Sequence, residues 1–336
     1  MRPLVVRVNA ATFPMQEAER AILAEVDAEI VEIEGATDDE VLASARDADA
    51  IMIVSASLHG PVITQLTRCK VISRLGTGVD KIDVAEATRK GIFVTNLPDF
   101  CTEEVADHTL ALLLAAARRL PYYTAAMRRG EQPHDLDGMH RLSTQTLGLI
   151  GFGRIGRAVA RRAKAFGMRI LAADPALTAE DAAREGIIDA DRDAVLAEAD
   201  YLALLCPLTP ATRGMIGLRE LRRMKPTAVL VNTGRGELVV EDDLVTALRE
   251  GIIRFAALDV YAGVNVFAEG GFPTDHPLFS LDNVLLTPHV AAYSQESAEA
   301  SHRGGAQAVV EVLTGHWPTH PVNPEVTPWF SVEARP

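Results

Sequence analysis

The sequence is poor in cysteine, in positive charge and in long apolar runs. Its cysteines, Cys69, Cys101 and Cys206, are odd in number and widely spaced, which argues against a disulfide framework and favours reduced thiols. The 33 Lys and Arg residues against 46 Asp and Glu give a net charge of −13, which argues against a nucleic-acid partner. No run of about 18 apolar residues occurs, and the first residues lack the apolar core of a signal peptide. We therefore expect a cytoplasmic protein that does not span a membrane.

Short apolar runs alternate with helical patterns along the 336 residues, and this length predicts two domains. Continuous apolar runs are typical of buried parallel strands, and alternation with helices favours right-handed crossovers. The pattern predicts two doubly wound, Rossmann-like α/β domains. The expected strands are 4–8, 29–33, 50–54, 71–75 and 92–95 in the first domain, and 147–151, 170–173, 201–205, 228–232, 254–259 and 284–287 in the second.

The first domain is expected to be split in sequence. An alanine- and leucine-rich helix over 103–119 carries the chain out of the first domain, and a helix near 295–314 returns it. We therefore expect residues 1–100 and 290–336 to form one domain and residues 101–289 the other. The proline-rich tail, 316–336, is expected to run extended over the surface.

The most informative stretch is a glycine-rich turn between a strand and a helix. Gly151 permits a tight turn, Gly153 allows the backbone to approach a pyrophosphate, and Gly156 allows helix and strand to pack closely. Arg154 and Ile155 stand at the start of that helix, whose N-terminus attracts phosphates. Asp174, after the next strand, can bind both ribose hydroxyls and would repel a 2′-phosphate. The sequence predicts a dinucleotide site that prefers NAD to NADP.

Two further strand ends carry residues suited to a small anionic substrate. Arg235, between Gly234 and Gly236, offers a forked donor to a carboxylate or a polarised carbonyl, and His289 can exchange a proton near neutral pH. The alternative to a substrate role is that Arg235 caps a helix or faces solvent. For His289, the alternative is a structural role in its loop. The other histidines lack a ligand-like spacing, so we expect no metal.

The chain resembles the D-isomer-specific 2-hydroxyacid dehydrogenases over nearly its whole length. The motifs that carry the resemblance, in chain order, are 75–80 (LGTGVD) with Asp83, 104–110 (EVADHTL), the 151–174 fingerprint, 206–210 (CPLTP) with Thr212, 232–236 (NTGRG), 257–260 (ALDV) and 287–289 (TPH).

This resemblance implies a split, flavodoxin-like substrate domain, an inserted NAD-binding domain and a homodimer formed largely through the NAD-binding domains. It makes Arg235 the residue that orients the substrate and His289 the general acid/base. Residues expected along the cofactor, besides the glycine turn and Asp174, are Val105, Pro207, Thr212, Thr233, Gly234 and Asp259. Residues expected at the substrate are Ser57, Leu58, Gly76, Thr77 and Gly78, with side-chain selection extending to His59 and Tyr293.

The implied reaction is hydride transfer between a D-2-hydroxy acid and its 2-oxo acid with NAD. In reduction, His289 delivers the proton and Arg235 stabilises the developing alkoxide. The substrate would be hydroxypyruvate or glyoxylate, as in the reductases, or phosphoglycerate. Two alternatives stay open: formate or phosphite oxidation on the same fold, and an NAD-sensing scaffold like the corepressors that resemble this family.

One departure from the family concerns the partner of the histidine. The family places a glutamate, normally before a proline, five residues after the aspartate of the LDV motif, but here that position is Val264. The loop is several residues longer, and Glu269 is its acidic residue. Glu269 is therefore the preferred replacement, with Asn265 as a neutral alternative partner of His289.

We predict that Glu269→Gln shifts the basic limb of the reductive pH profile to lower pH. A carboxylate favours the imidazolium and raises the pKa of His289, so its loss removes the protonated acid at a lower pH. The measurement is kcat for reduction against pH, with NADH affinity as the control. Asn265→Ala should be nearly silent, and the reverse pattern would give the role to Asn265.

Overall fold

The structure is a computed structural model that describes residues 2–134, 136–264, 266–267 and 275–333. The expected histidine partners Glu269 and Asn265 lie outside these described residues. The chain divides into two compact units. Both ends of the chain, Met1–Cys101 and Ser294–Pro336, form the first unit, and Thr102–Tyr293 forms the second.

Helices alternate with strands throughout both units. The chain begins with β1 (Leu4–Val8), α1 (Glu17–Leu23), β2 (Glu29–Ile33), α2 (Asp38–Ala45), β3 (Ala50–Ile53), α3 (Gly60–Thr64), β4 (Val71–Arg74), α4 (Val84–Arg89) and β5 (Phe93–Thr95). The second unit contains α5 (Thr102–Ala117), α6 (Leu120–Arg128), β6 (Thr146–Ile150), α7 (Arg154–Ala165), β7 (Arg169–Ala173), α8 (Ala179–Glu185), β8 (Ile188–Asp189), α9 (Arg192–Glu198), β9 (Tyr201–Leu204), α10 (Leu218–Leu221), β10 (Val229–Asn232), α11 (Glu241–Arg249), β11 (Phe255–Leu258) and β12 (Val284–Leu286). Helix α12 (Gln295–Leu313) then belongs to the first unit.

The first unit is built on a parallel sheet in the order β2-β1-β3-β4-β5. Apolar clusters cover both faces, which explains why β3 is buried along its whole length. The strand order reverses between β1 and β3. Asn9 follows β1 with a φ of 67°, and its Oδ1 accepts hydrogen bonds from the amides of Ser55 and Ala56, both at 2.8 Å. This side chain therefore shapes the loop that follows β3.

The second unit is built on a parallel sheet in the order β12-β11-β10-β9-β6-β7-β8. Helices pack on both faces through two apolar clusters. The prediction of two doubly wound α/β folds is therefore confirmed. The strand order reverses between β6 and β9, and ligands of such sheets bind at the carboxyl ends of the strands on either side of the reversal.

The C-terminal segment packs on the first unit. The amide of Val322 donates to the carbonyl of Val94 at 2.7 Å, and the buried Asn323 side chain binds the amide of Val94 and the carbonyl of Ile92. The rings of Trp317 and Phe330 meet Phe93 edge-on. The tail thus covers the edge strand β5, whose unpaired backbone groups would otherwise invite pairing with another chain.

The structure differs from the expected elements in one helix and adds one strand that was not expected. The helix expected over 103–119 ends at Ala117, because Arg119 adopts a left-handed conformation with a φ of 51°, and α6 starts at Leu120 with Pro121 in its first turn. Strand β8 has two residues, too few for a hydrophobic pattern to indicate it. Across the described residues, the helices are too short or too polar to cross a membrane.

Candidate active site

The glycine turn joins β6 to α7 at the point where the strand order reverses. Gly151 has a φ of 98°, and a methyl group there would come within 2.6 Å of the Cys206 amide nitrogen in the loop after β9. A methyl group on Gly156 would come within 2.5 Å of the Gly151 carbonyl oxygen. One on Gly153 would meet no described atom within 4 Å. Close packing explains Gly151 and Gly156, and open space in front of Gly153 fits a pyrophosphate.

Helix α7 begins beside that open space. Gly153 is its N-cap, followed by the exposed Arg154 and the half-buried Ile155. The N–H groups of a helix's first turn have no acceptor within the helix and carry a partial positive charge. Gly153 contributes no side-chain cap, so the backbone of this turn can meet an anion directly.

Asp174 follows β7 and is held against the glycine turn by backbone amides. The amide of Phe152 donates to its Oδ2 at 2.7 Å, and that of Ala176 donates to its Oδ1 at 2.8 Å. Each carboxylate oxygen keeps a further lone pair. Those lone pairs suit the two hydroxyls of an adenosine ribose, whereas a 2′-phosphate would meet like charge.

A chain of hydroxyl contacts connects α5 to the end of β10. The Oγ1 atoms of Thr109 and Thr233 lie 2.7 Å apart, and Thr109 Oγ1 donates to the carbonyl of Val105 at 2.7 Å. All three residues are buried. Val105 and Thr233, both expected along the cofactor, are therefore joined through Thr109, which the sequence had not indicated.

The loop after β10 presents Arg235. Asn232 fixes this loop, because its Nδ2 donates to the carbonyl of Arg235 at 2.9 Å and its Oδ1 accepts from the amide of Gly234 at 3.1 Å. Arg235 is half-buried, and its Nη1 contacts the Gly234 carbonyl at 2.9 Å. A methyl group on Gly236 would lie 2.0 Å from the carbonyl carbon of Tyr261, so this position requires glycine.

The loop after β12 is built around the carboxylate of Asp259. Asp259 Oδ1 accepts from the Thr287 hydroxyl at 2.6 Å and from the amide of Val290 at 3.0 Å, and Oδ2 accepts from the amide of Ala291 at 2.9 Å. The His289 amide donates to the Asp259 carbonyl at 2.9 Å. Asp259 therefore stabilises the conformation of the loop that carries His289.

His289 has an unusual backbone conformation. Its φ is 56°, in the left-handed region that residues with a side chain seldom adopt. Its ring is half-buried, with its centroid 5.4 Å from that of Phe267. Such a conformation persists only where its surroundings determine it, and it is common at functional sites.

The hydrogen bonds to Asp259 decide its charge. Burial alone would raise the pKa of this carboxyl, but bonds from His108, Thr287 and the amides of Ala291 and Val290 outweigh burial, so the pKa lies below its usual range. His108 Nε2 lies between two oxygens, 3.0 Å from the Thr287 hydroxyl and 3.5 Å from Asp259 Oδ1. Since that hydroxyl donates to Asp259, the His108 Nε2–H is the donor to Thr287.

The loop after β9 is folded upon itself. The Thr212 hydroxyl donates to the Pro207 carbonyl at 2.7 Å and accepts from the amide of Thr209 at 2.8 Å. Cys206, which begins this loop, contacts Gly151. Pro207 and Thr212 thus belong to a loop that abuts the glycine turn, on the second unit.

The first unit carries the residues expected at the substrate. Ser57 is half-buried, but Leu58 differs from the expectation. Its side chain is fully buried in the core, its amide donates to the Lys81 carbonyl at 2.8 Å, and its carbonyl accepts from the amide of Asp83 at 3.0 Å. Leu58 therefore stabilises the fold of this loop, and its side chain does not face a substrate.

The turn over 76–78 is braced from inside the first unit. The Gly76 amide donates to the Arg74 carbonyl at 2.9 Å, so this amide already has an acceptor within the protein. Arg74 Nε in turn donates to the Gly78 carbonyl at 3.0 Å, and the Thr77 hydroxyl donates to the Leu97 carbonyl at 3.0 Å. The amides of Thr77 and Gly78 remain as the candidate donors to a carboxylate.

The structure adds residues that the sequence had not assigned. His108, Thr109 and Tyr261 support the candidate site of the second unit, and Asn9 and Arg74 support the loops of the first. His108 and Thr109 lie within the family motif at 104–110, and Tyr261 directly follows the motif at 257–260. Their closeness to these motifs could have identified them from the sequence.

A model of the D-isomer specific 2-hydroxyacid dehydrogenase family, NAD binding domain, matches residues 110–291. These residues include the glycine turn, Asp174, Arg235, Asp259 and His289. The chain belongs to the D-isomer-specific 2-hydroxyacid dehydrogenase family. The predicted family and the predicted cofactor, NAD, are confirmed.

Two curated relatives differ in their length. The chain is 42% identical to D-3-phosphoglycerate dehydrogenase of Methanocaldococcus jannaschii over 315 residues, which cover 93% of this chain but 58% of that enzyme. It is 39% identical to glyoxylate reductase of Korarchaeum cryptofilum over 302 residues, covering 88% of this chain and 87% of that one. The chain therefore spans little more than half of the phosphoglycerate dehydrogenase that it resembles.

Solved structures of similar proteins carry either dinucleotide. The NADPH-dependent glyoxylate/hydroxypyruvate reductase of Sinorhizobium meliloti, in complex with NADP and malonate, is 30% identical with a TM-score of 0.83, covering 99% of this chain and 100% of that one. D-lactate dehydrogenase of Aquifex aeolicus, complexed with NAD and lactic acid, is 29% identical with a TM-score of 0.81, covering 93% of this chain and 96% of that one. The prediction that this chain prefers NAD therefore rests on Asp174 alone.

We predict that Asp174→Asn reduces the preference for NADH over NADPH by about tenfold or more, because it removes the charge that faces the 2′-phosphate while keeping an acceptor. The measurement is fluorescence titration of both dinucleotides. Glu180→Ala, which removes an exposed acid on the same unit, should leave the ratio unchanged. Equal affinity of the unaltered protein for the two dinucleotides would contradict the assignment.

Proposed function

We propose that this protein is an NAD-dependent oxidoreductase that interconverts a D-2-hydroxy acid and its 2-oxo acid. The observation that carries the proposal is the pair of strand-end loops that present Arg235 and His289. Both loops contact Tyr261, and both belong to the unit whose glycine turn and Asp174 suit NAD. A cation after β10 and an imidazole after β12, the two strands that flank β11, supply charge stabilisation and proton transfer.

Arg235 would orient the substrate. Its guanidinium offers parallel donors to a carboxylate and to the adjacent 2-oxo group, a geometry that a lysine could not supply. Asn232 holds the loop by its side-chain amide, so Arg235 would meet the substrate from a fixed backbone. In the first unit, the amides of Thr77 and Gly78 would add donors for the carboxylate.

His289 would be the acid in reduction and the base in oxidation. NADH, when bound, supplies the hydride for the carbonyl carbon. Negative charge then develops on the carbonyl oxygen, Arg235 stabilises it, and the His289 imidazolium delivers the proton that completes the hydroxyl. The backbone of His289 is fixed by Asp259, whose carbonyl accepts its amide. The cofactor's nicotinamide end would lie along Val105 and Thr233.

Glyoxylate and hydroxypyruvate are the preferred substrates over 3-phosphoglycerate. The loop over 55–59 contains no lysine or arginine of its own that could meet a phosphate, since it consists of two serines, an alanine, a buried leucine and an exposed histidine. The glyoxylate reductases are also relatives that match over most of their length. Reduction of glyoxylate, hydroxypyruvate, pyruvate and phenylpyruvate, followed by NADH absorbance, tests this preference, with oxidation of 3-phosphoglycerate as the comparison.

An NAD-sensing scaffold without activity is the second candidate. The observation that favours it is Val264 at the position where the family has the glutamate partner of the histidine. Glu269 stays the proposed replacement. Turnover of any of these 2-oxo acids would reject the scaffold, and NADH binding without turnover across the pH range would support it.

We predict that Arg235→Ala lowers kcat/KM by about 10³-fold while NADH affinity survives, because the lost cation acts on charge that develops in the transition state. His289→Ala should lower kcat by at least about 10²-fold. Steady-state kinetics with the best 2-oxo acid and NADH titration are the measurements. The exposed Arg249→Ala and His140→Ala are the controls. Near-normal turnover by either site variant would reject its assigned role.

We also propose that the protein is a cytoplasmic homodimer formed through the second unit. Large apolar side chains are exposed on α6 and shortly after it: Leu120 (53%), Met127 (62%) and Leu136 (78%). Leu120 and Met127 stand seven residues apart on one face of α6, and an exposed apolar face is typical of a surface that contacts another protein. Cys69, Cys101 and Cys206 are free thiols, as suits a reducing compartment.

Replacing Leu120 and Met127 together by aspartate should convert the dimer to a monomer, because the dimer would bury charge at an apolar surface. Light scattering after size-exclusion chromatography measures the mass. Ile188→Asp, an exposed apolar residue of the edge strand β8, is the matched control and should stay dimeric. A monomeric mass for the unaltered chain would overturn this proposal.

A further inference from the structure

Tyr261 contacts the turn that carries His289. Its hydroxyl donates to the Thr287 carbonyl at 2.7 Å, and the amide of His289 donates to the same carbonyl at 3.1 Å. The carbonyl that closes the left-handed turn at His289 is therefore held in place by the phenol. Tyr261 is buried, and burial raises the pKa of its hydroxyl, so it remains a protonated donor at every pH at which an enzyme of this class would be assayed.

The backbone of Tyr261 contacts the loop that carries Arg235. A methyl group at position 236 would lie 2.0 Å from the Tyr261 carbonyl carbon and 2.1 Å from its oxygen, so the two backbones are packed with no room for a side chain. Gly236 is bonded directly to Arg235. One residue thus meets both loops, one with its hydroxyl and the other with its main chain.

The turn at Tyr261 is itself anchored by Glu241 at the start of α11. Glu241 Oε2 accepts from the amide of Ala262 at 3.0 Å, and its Oε1 lies 2.9 Å from His276 Nε2. The Tyr261 and His276 rings pack at a centroid distance of 6.2 Å. The contacts of Glu241 and His276 therefore fix the position of Tyr261. Because Tyr261 is fixed, it can hold the loops that carry Arg235 and His289 in place.

We propose that Tyr261 is a positioning residue that sets the spacing between Arg235 and His289. This inference rests on the proposed function, in which those two side chains act on one substrate. The hydroxyl keeps the His289 turn closed, and the main chain limits the Arg235 loop. Small errors in placing catalytic groups lower turnover far more than they lower stability.

The test compares Tyr261→Phe with Tyr201→Phe, which removes the hydroxyl of another buried tyrosine of the same unit. The first measurement is steady-state reduction of the best 2-oxo acid against pH. Tyr261→Phe should lower kcat about tenfold and shift the pH limb set by His289, with NADH affinity and melting temperature near those of the unaltered protein. Tyr201→Phe should change neither kcat nor the pH limb.

The second measurement does not depend on activity. In protein labelled with isotopic histidine, the His289 ring signal, assigned by its loss in His289→Ala, should move in Tyr261→Phe and stay in place in Tyr201→Phe. An unmoved His289 signal, or an unshifted pH limb in an active enzyme, would overturn the role of Tyr261 and leave the proposed function intact. An inactive unaltered protein would reject the proposed function, and the ring signal would still decide whether Tyr261 positions His289.

Discussion

The buried carboxylate of Asp259 is the interaction on which the candidate active site depends. It accepts two amides and a hydroxyl from the loop after β12, and these bonds replace the water that burial removes. They also lower its pKa, so its stabilising effect is present above an unfolded pKa of roughly 3.9 and is lost as the pH falls through the lower folded value. Acid would therefore loosen the His289 loop along with the fold.

Sequence reasoning could identify the residues whose role is local. Gly151, Gly156 and Asp174 lie on one strand–helix–strand unit, and each is required by a turn or a close approach that the spacing alone implies. Continuous apolar runs likewise predicted the strands of both sheets, apart from the two-residue β8, to within a residue or two. Arg235 and His289 were indicated by their places at strand ends.

Residues that act across the chain could not be identified in this way. Asn9 binds amides 46 and 47 residues away, and Asn323 binds a strand 229 residues away, so nothing near them in sequence reveals their partners. Leu58 illustrates the reverse case. It stands in a loop expected to meet the substrate, but the isolated pairing of Leu58 with Ile82 turns its side chain into the core.

The first unit is assembled from two segments that are far apart in the chain, and this affects the order of folding. Helix α12 and the tail pack on strands that are synthesised much earlier, as in the bonds from the Ser73 hydroxyl to the Gly305 carbonyl and from the Val94 amide to the Asn323 side chain. The second unit, by contrast, is continuous from 102 to 293. During synthesis it can become compact while the early strands β1–β5 still lack their covering helix, and domains generally fold as units. Until α12 and the tail have been synthesised, those strands expose one apolar face and an open edge to the cell's chaperones.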